Sequence, residues 1–220
     1  MDLAGVGAAI GEPARAAMLE SLLADVERPA SELAALAGVS RPTASEHLAR
    51  LRAAGLVSAT SRGRHRYYAL AGPDVAAALE ALGLISTPRP PATLGRALQR
   101  RVEREGRTCY DHLAGAVGVA ITDALVARGA LTRDSLALRD PAAFAALSVD
   151  VGSLPPGRPA TRACLDWSER RPHLAGALGA ALCARLIADG SIRRLAPGRA
   201  VQVTSAGRHR LTGVLGCDLA

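Results

Sequence analysis

Residues 31–68 read SELAALAGVSRPTASEHLARLRAAGLVSATSRGRHRYY, and no other stretch restricts the fold of the chain as tightly. Leu33, Leu36, Val39, Leu48, Leu51 and Leu56 recur at helical spacing and supply an apolar face. Ser31, Ser40 and Thr43 are polar starters able to accept from the unpaired amides of a first helical turn. Gly38 stands where a helix ends, so Gly38-Val39-Ser40 is a predicted turn. Pro42 suits a first helical position, because its missing amide would have had no partner there. After Gly55 the chain alternates as a strand, turns at Ser61-Arg62-Gly63-Arg64 and returns through His65-Arg66-Tyr67-Tyr68. The predicted order is helix, tight turn, helix and basic hairpin, which is the layout of a winged DNA-binding module.

Once the apolar positions are assigned, Ser40, Arg41, Thr43, Ser45, Glu46, His47 and Arg50 remain on or beside the solvent face of the second helix. Its N-terminal turn is the part that approaches base edges in a major groove. Arg62, Arg64 and Arg66 at the hairpin tip suit phosphates or a minor groove.

Charge is informative here through its distribution. The chain carries a formal net charge of +7, yet residues 1–86 hold eight Arg against nine acidic groups. Within that span, positions 39–68 hold six Arg and the single acid Glu46. The acids therefore sit on supporting helices and the positive charge on the presumed reading face, which points to double-stranded DNA as partner. At 220 residues and 49% hydrophobic content there is room for two domains with real cores, packed mostly by Leu, Val and Ala because aromatics are few.

The first 85 residues resemble the ArsR/SmtB group of bacterial winged helix-turn-helix repressors. The resemblance lies in Glu32-Leu33-Ala34, Gly38-Val39-Ser40, Pro42-Thr43-Ala44-Ser45, His47-Leu48 and Leu51-Arg52-Ala53-Ala54-Gly55-Leu56-Val57, then Gly63-Arg64 and Tyr67-Tyr68-Ala69-Leu70. It implies a homodimer whose interface is built by the first helix, about Leu3 to Asp25, and the helix after the wing, about Pro73 to Leu84. It also implies two recognition helices about one DNA turn apart on a pseudo-palindromic operator. The family's familiar sensing positions do not carry over. The stretch that bears an arsenic-binding Cys-x-x-Cys in that family is here Ser31 to Ala37, without a thiol, and the dimer helix that holds zinc is here Pro73 to Glu80, without a histidine.

The second half contains an internal repeat. His112 to Leu131 aligns with His173 to Ile192 at an offset of 61 residues, with ten of twenty positions identical. Upstream, Arg107-Thr108-Cys109-Tyr110-Asp111 matches Arg162-Ala163-Cys164-Leu165-Asp166, after which the second copy inserts Trp167 to Pro172. Each copy predicts an amphipathic helix, through Leu113, Val117, Ile121 and Leu125 in one and Leu174, Leu178, Leu182 and Leu186 in the other. Ala114 with Gly118 and Ala175 with Gly179 put small residues four apart, which predicts close packing of the two helices about a pseudo-twofold axis. The second copy continues through Ile192-Arg193-Arg194, a Pro197-Gly198 turn, Val201 to Thr204 and a helix from Ser205, again a wing followed by a helix. The expected fold is mainly α with small β wings (α+β). Residues 1–86 form the winged helix-turn-helix, 87–106 a proline-rich linker and connecting helix, and 107–220 a helical repeat domain arranged as a degenerate winged-helix pair.

Cys109 and His112, three apart, are expected on one helical face, with Cys164 and His173 approaching from the other copy. Two thiolates and two imidazoles would suit zinc, cadmium or an arsenic species as an effector, with Asp111 and Asp166 orienting the imidazoles. Packing is an equally physical reading of the same residues, and thiol oxidation or a small-molecule pocket walled by Tyr110 and Trp167 is a third. Cys183 is expected in the core and Cys217 near an accessible end.

An enzyme is not expected. Cys109, Asp111 and His112 have suitable residue types, but contiguous residues on one helix seldom converge on a substrate atom, and no phosphate loop or nucleophile elbow accompanies them. No cofactor is required. No charged start leads into an apolar run, no run reaches the ~18 residues of a membrane span, and no Cys-x-x-Cys pair occurs, so a reducing cytoplasm is the expected compartment, with no membrane partner. The expected function is a dimeric repressor that leaves its operator when an effector, metal or metalloid, thiol oxidant or small molecule, reaches the C-terminal half. A thiol-based redox regulator without metal is the alternative.

Overall fold

The chain opens with two helices where one was expected. In the computed structural model, which describes residues 2–24, 26–87, 94–195, 198–217 and 219, α1 (Leu3–Ile10) starts at Asp2 and α2 (Pro13–Leu22) at Glu12. Each acid accepts from an amide three residues on, at 2.8 Å from Gly5 and 2.9 Å from Arg15. Pro13 explains the break, since proline cannot continue an upstream helix but fits a first turn. Asp25, the expected end, lies outside the described residues.

β1 (Arg28–Pro29) leads into α3 (Ala30–Ala37), which stops at Gly38 in the left-handed conformation. α4 (Arg41–Ala53) starts at Ser40, whose Oγ accepts from the Thr43 amide at 3.3 Å. β2 (Val57–Arg62) and β3 (His65–Leu70) pair antiparallel from Val57↔Leu70 to Arg62↔His65, leaving Gly63-Arg64 as a two-residue loop. β1 lies on the other edge of β3. Met18, Leu19, Leu33, Ala44, Leu48, Leu51 and Tyr68 are buried between helices and sheet. Leu36 departs from the expected apolar face and is 42% exposed, because Leu33 and Ala34 already set the inward stripe of a short helix and Leu36 falls beside it.

The chain divides into two units, residues 1–79 and 80–220. The division falls within α5 (Pro73–Ile85), and α6 (Leu94–Glu105) belongs to the second unit. Most of the expected proline-rich joint, residues 88–93, lies outside the described residues.

In the second unit each repeat copy begins with a hairpin. β4 (Arg107–Cys109) and β5 (His112–Ala114) precede α7 (Gly115–Ala127), then α8 (Ala142–Ala146) and a short 3-10 turn, Val151–Ser153. β6 (Arg162–Leu165) and β7 (Pro172–Ala175) precede α9 (Gly176–Ala188), then β8 (Ile192–Arg194), β9 (Val201–Val203) and α10 (Ser205–Leu215). The pair after α9 is a small wing; after α7 it shrinks to one antiparallel bridge, Leu131↔Leu138. Pro197 of the expected wing turn lies outside the described residues. The fold is thus α+β, with small antiparallel sheets attached to helices, and the second unit repeats hairpin, helix, β pair and helix.

Two corrections follow from these hairpins. Cys109 and His112 do not share a helix; they face each other across the β4–β5 register. The small residues also serve a different purpose from the one expected. A Cβ on Gly118 would lie 2.5 Å from the carbonyl oxygen of Leu113, and one on Gly179 would lie 2.6 Å from that of Leu174, so each glycine lets a helix close onto its own incoming strand. Each helix also packs on the other copy's hairpin, α7 on β7 and α9 on β5, and the Leu174 amide donates to Thr122 Oγ1 at 2.9 Å. Gly115 and Gly176 make the switch from strand to helix at φ +75° and +87°, with backbone oxygens 2.7 and 2.9 Å from where a Cβ would sit. That requirement is the physical content of the repeated His-Leu-Ala-Gly. Leu113, Ile121, Leu125, Phe144, Leu178, Leu186 and Leu211 belong to the core of this unit, together with Cys183.

Candidate DNA-reading face and buried Cys/His cluster

α4 presents Arg41, Ser45, Glu46 and Arg50 to solvent, while Ala44, Leu48 and Leu51 are buried. Ser40 and Thr43 join through their hydroxyls at 2.7 Å, and Ser45 Oγ donates to the Arg41 carbonyl at 3.1 Å, which fixes the first turn. His47 departs from the expected reading face. Its ring lies 3.3 Å from Arg15 Nη1 through Nδ1 and 3.7 Å from Glu12 through Nε2, half-buried against α2, because position 47 borders the stripe of residues 44, 48 and 51. In the wing Arg62, Arg64 and Arg66 are all exposed. Arg62 is held by Glu27 at 2.5 Å, with its guanidinium 5.4 Å from the Tyr67 ring centroid.

The second constellation forms where the hairpins meet. Cys109 pairs with His112 across β4–β5, and Cys164 pairs with His173 across β6–β7. One donor atom from each of the four residues lies within 4.8 Å of every other. The sulfurs of Cys109 and Cys164 are 3.9 Å apart, and the imidazoles stack with centroids 5.1 Å apart. Cys109, His112 and His173 are buried and Cys164 is partly so. His112 Nε2 and both ring nitrogens of His173 have no hydrogen-bond partner among the described residues.

The two cysteines differ electrostatically. The Cys109 thiol is pushed well above its ordinary pKa by its hydrogen bond to Cys164, then by burial and the nearby carboxylate of Glu80. Cys164 is held well below, chiefly as acceptor from Cys109 and, against burial, by both imidazoles. His112 is raised: burial opposes its charge, but Asp111 and Cys164 outweigh it. Two sulfurs and two imidazole rings at these distances can meet a soft cation, or close a disulfide when an oxidant arrives.

Asp111 accepts from His112 Nδ1 at 3.1 Å and from Arg158 at 2.5 and 3.3 Å, and these bonds outweigh burial to hold its carboxyl down to about 2. That contact holds the His112 ring. Asp166 does not do the same for His173, from whose Nδ1 it stands 3.7 Å away. Its oxygens are taken by Arg107 at 2.9 Å, the Gly115 amide at 2.7 Å, the Ser168 hydroxyl at 2.7 Å and the amides of Ser168 and Glu169. It therefore caps α7, whose own preceding residue Ala114 supplies no side-chain cap.

Arg107, Thr122, Arg158 and Glu27 hold these sites together and were not singled out from sequence. Only Arg107 carried a signal, as the first residue of the repeated Arg-x-Cys-x-Asp. Two further expectations need correction. Trp167, expected beside a pocket, lies against the Arg107 guanidinium, 4.6 Å from the ring centroid. Cys217 is buried, 4% exposed, and Cys183 is core as expected. No helix among the described residues is long and apolar enough to cross a membrane.

Comparison with known proteins adds three findings. Residues 10–58 match the family model described as a helix-turn-helix domain. The chain is 38% identical over 212 residues to the HTH-type transcriptional regulator YdfF of Bacillus subtilis (strain 168), covering 94% of each, and 46% identical over 77 residues to the HTH-type transcriptional regulator CmtR of Mycobacterium tuberculosis, covering 35% of this chain and 64% of CmtR. Among solved structures it is similar to the homodimeric winged helix-turn-helix DNA-binding domain Mb0332 from Mycobacterium bovis, described as a possible ArsR-family regulator, at 36% identity, with a TM-score of 0.36 over 38% of this chain and 77% of that one.

Proposed function

The chain belongs to the HTH-type transcriptional regulators, with an ArsR/SmtB-type winged helix-turn-helix at its N-terminal end, and from this premise we propose that it is a dimeric, cytoplasmic repressor released by an effector sensed in its C-terminal unit. It is a DNA-binding regulator and not an enzyme. The observation that carries the repressor reading is the exposure of Arg41, Ser45, Glu46 and Arg50 on the helix after the turn, beside a wing that exposes Arg64 and Arg66. Those α4 side chains would read base edges, and the wing arginines would hold phosphates.

Dimerisation is supported by apolar side chains left in solvent on the helices expected at the interface. Leu3 and Val6 of α1 are 69% and 37% exposed, and Leu82 and Ile85 of α5 are 40% and 82% exposed. A second copy of the chain would cover them.

The effector site is assigned to Cys109, His112, Cys164 and His173, with Asp111 behind His112. This cluster favours an effector that bonds sulfur and imidazole, a soft metal ion or metalloid. The 3.9 Å approach of the two sulfurs supports a second reading, in which an oxidant is the signal and no metal is used.

The test is a gel-shift titration of the full chain on its own promoter and on random DNA at two salt concentrations. Sequence-preferring binding that weakens steeply with salt is expected. Equal affinity for both DNAs would refute the repressor reading.

A further inference from the structure

We propose that Cys109, His112, Cys164 and His173 form a closed two-sulfur, two-nitrogen site for one zinc-class divalent ion per chain, zinc or cadmium, which ties the two repeat copies together. This rests on the reading that the C-terminal unit is the sensor, and it names the class of effector.

The geometry is close to that of a bound ion before any ion arrives. With metal–sulfur bonds of ~2.3 Å, the sulfur–sulfur edge of a tetrahedral site is ~3.8 Å. The Cys109 and Cys164 sulfurs stand 3.9 Å apart, and no donor pair exceeds 4.8 Å. Each hairpin supplies one sulfur and one imidazole from directly opposed positions, Cys109↔His112 and Cys164↔His173, so the strands hold the donors in place. The ion would bridge the two hairpins.

Buried polarity points the same way. His112 is 2% exposed and His173 is fully enclosed, yet among the described residues Nε2 of the first and both nitrogens of the second lack hydrogen-bond partners. Burying such atoms unpaired costs free energy that a metal bond would recover. Asp111 occupies His112 Nδ1 at 3.1 Å, which directs Nε2 into the cluster, as a carboxylate behind a metal-binding imidazole does.

Charge and donor type select the ion. Two thiolates neutralise a divalent cation, and the cations around the cluster are already paired, Arg199 with Glu80 and Arg107 with Asp166. The donor set has no hard oxygen ligand, which excludes magnesium and calcium chemistry. Arsenite prefers three thiolates, and only two sulfurs are in the cluster, because Cys183 and Cys217 are not part of it. Sulfur with imidazole in tetrahedral disposition is a zinc or cadmium set.

The experiment uses the reduced, chelator-treated full chain titrated with cadmium, read by the ultraviolet absorption of cadmium–thiolate bonds, with zinc as competitor. Saturation at one ion per chain, with an intensity matching two thiolates, is expected. Cys109→Ser and Cys164→Ser should each abolish stoichiometric uptake, whereas Cys183→Ser should bind as the unsubstituted chain does. Asp111→Asn keeps all four donors and should weaken binding about 10- to 100-fold, a readout that survives if a cysteine variant misfolds. No saturable uptake, or full uptake by the Cys109→Ser/Cys164→Ser double variant, overturns the site. Operator binding measured alongside separates the two readings. Stoichiometric cadmium with unchanged operator affinity supports the site and refutes sensing, while operator binding without metal uptake refutes the site and leaves the repressor standing.

Discussion

Arg107 Nη2 and Asp166 Oδ2 are 2.9 Å apart in an ion pair that neither side chain exposes to solvent, and the pair joins the first strand of one repeat copy to the loop of the other. The same carboxylate takes the first amide of α7, so three backbone segments depend on one side chain. Asp166→Ala leaves a buried guanidinium uncompensated and should destabilise the second unit by about 3–5 kcal/mol. Arg107→Met combined with Asp166→Leu should recover part of that loss, since the charge and its desolvation are removed together. Urea unfolding followed by Trp167 fluorescence reports on this locality, because the single Trp lies against Arg107. A full-sized loss in the double variant would contradict the assignment.

Gly115 and Gly129 offer a controlled comparison. Both have positive φ, +75° and +73°, but a Cβ at Gly115 meets the Arg104 carbonyl oxygen at 2.7 Å, whereas at Gly129 it meets open space. Gly129→Ala should cost about 1 kcal/mol, the strain of a left-handed alanine. Gly115→Ala should cost that and a further ~1–3 kcal/mol, because backbone must move. Thermal unfolding of the two variants checks the order, and equal shifts would refute it.

The contrast between those glycines shows where sequence reasoning works. Gly38, Ser40 and Pro42 act locally, each setting a helix end through its own backbone chemistry, and α3, α4 and the wing stand where they were expected. The repeat marks the four Cys and His residues that the structure gathers, but they lie on hairpins and not on the helix that their spacing predicts. A spacing of three fits one face of a helix and also opposed positions around a two-residue turn, and Tyr110-Asp111 is a weak turn signal, since Tyr110 must adopt φ +58°. Arg158 and Glu27 were not legible, because their partners are distant in sequence and single charged side chains leave no periodic trace.

Asp189 gives a pH dependence. It follows the last turn of α9, where burial raises its pKa but hydrogen bonds from Ser191 and then the charge of Arg210 outweigh this and hold it below the ordinary carboxylate value. A depressed folded-state pKa contributes stability at pH above the unfolded value of about 4, and that contribution disappears as pH falls through the folded value. Asp189→Asn should therefore lower stability at neutral pH and flatten its decline below about pH 4. Denaturant midpoints measured at neutral and acid pH would refute this if both proteins declined in parallel.

His47 separates a structural histidine from a base-reading one. Packed between Arg15 and Glu12, it should contribute about 1 kcal/mol to folding of the first unit, and His47→Ala should lower stability without changing base preference. Altered preference at a single operator position, with stability intact, would return it to the reading face.

The three wing arginines should not be equivalent. Arg64 and Arg66 are exposed, so each phosphate contact they make releases counterions, and substituting either by Ala should flatten the salt dependence of binding by about one unit of slope. Arg62 is exposed as well, but it is paired with Glu27 at 2.5 Å and braced on Tyr67, so Arg62→Ala should cost less on operator and random DNA alike. The discriminating variant is Glu27→Gln, which frees Arg62 and removes a negative charge beside the wing; it should tighten binding to both DNAs and steepen the salt slope. By contrast Arg41→Ala or Ser45→Ala should cost about 1–3 kcal/mol on operator and little on random DNA, because those side chains face bases. Titrations of these variants on both DNAs across a salt series distinguish the two roles. If Glu27→Gln weakened binding, or if Arg41→Ala and Arg64→Ala gave the same pattern, the division of labour between α4 and the wing would be wrong.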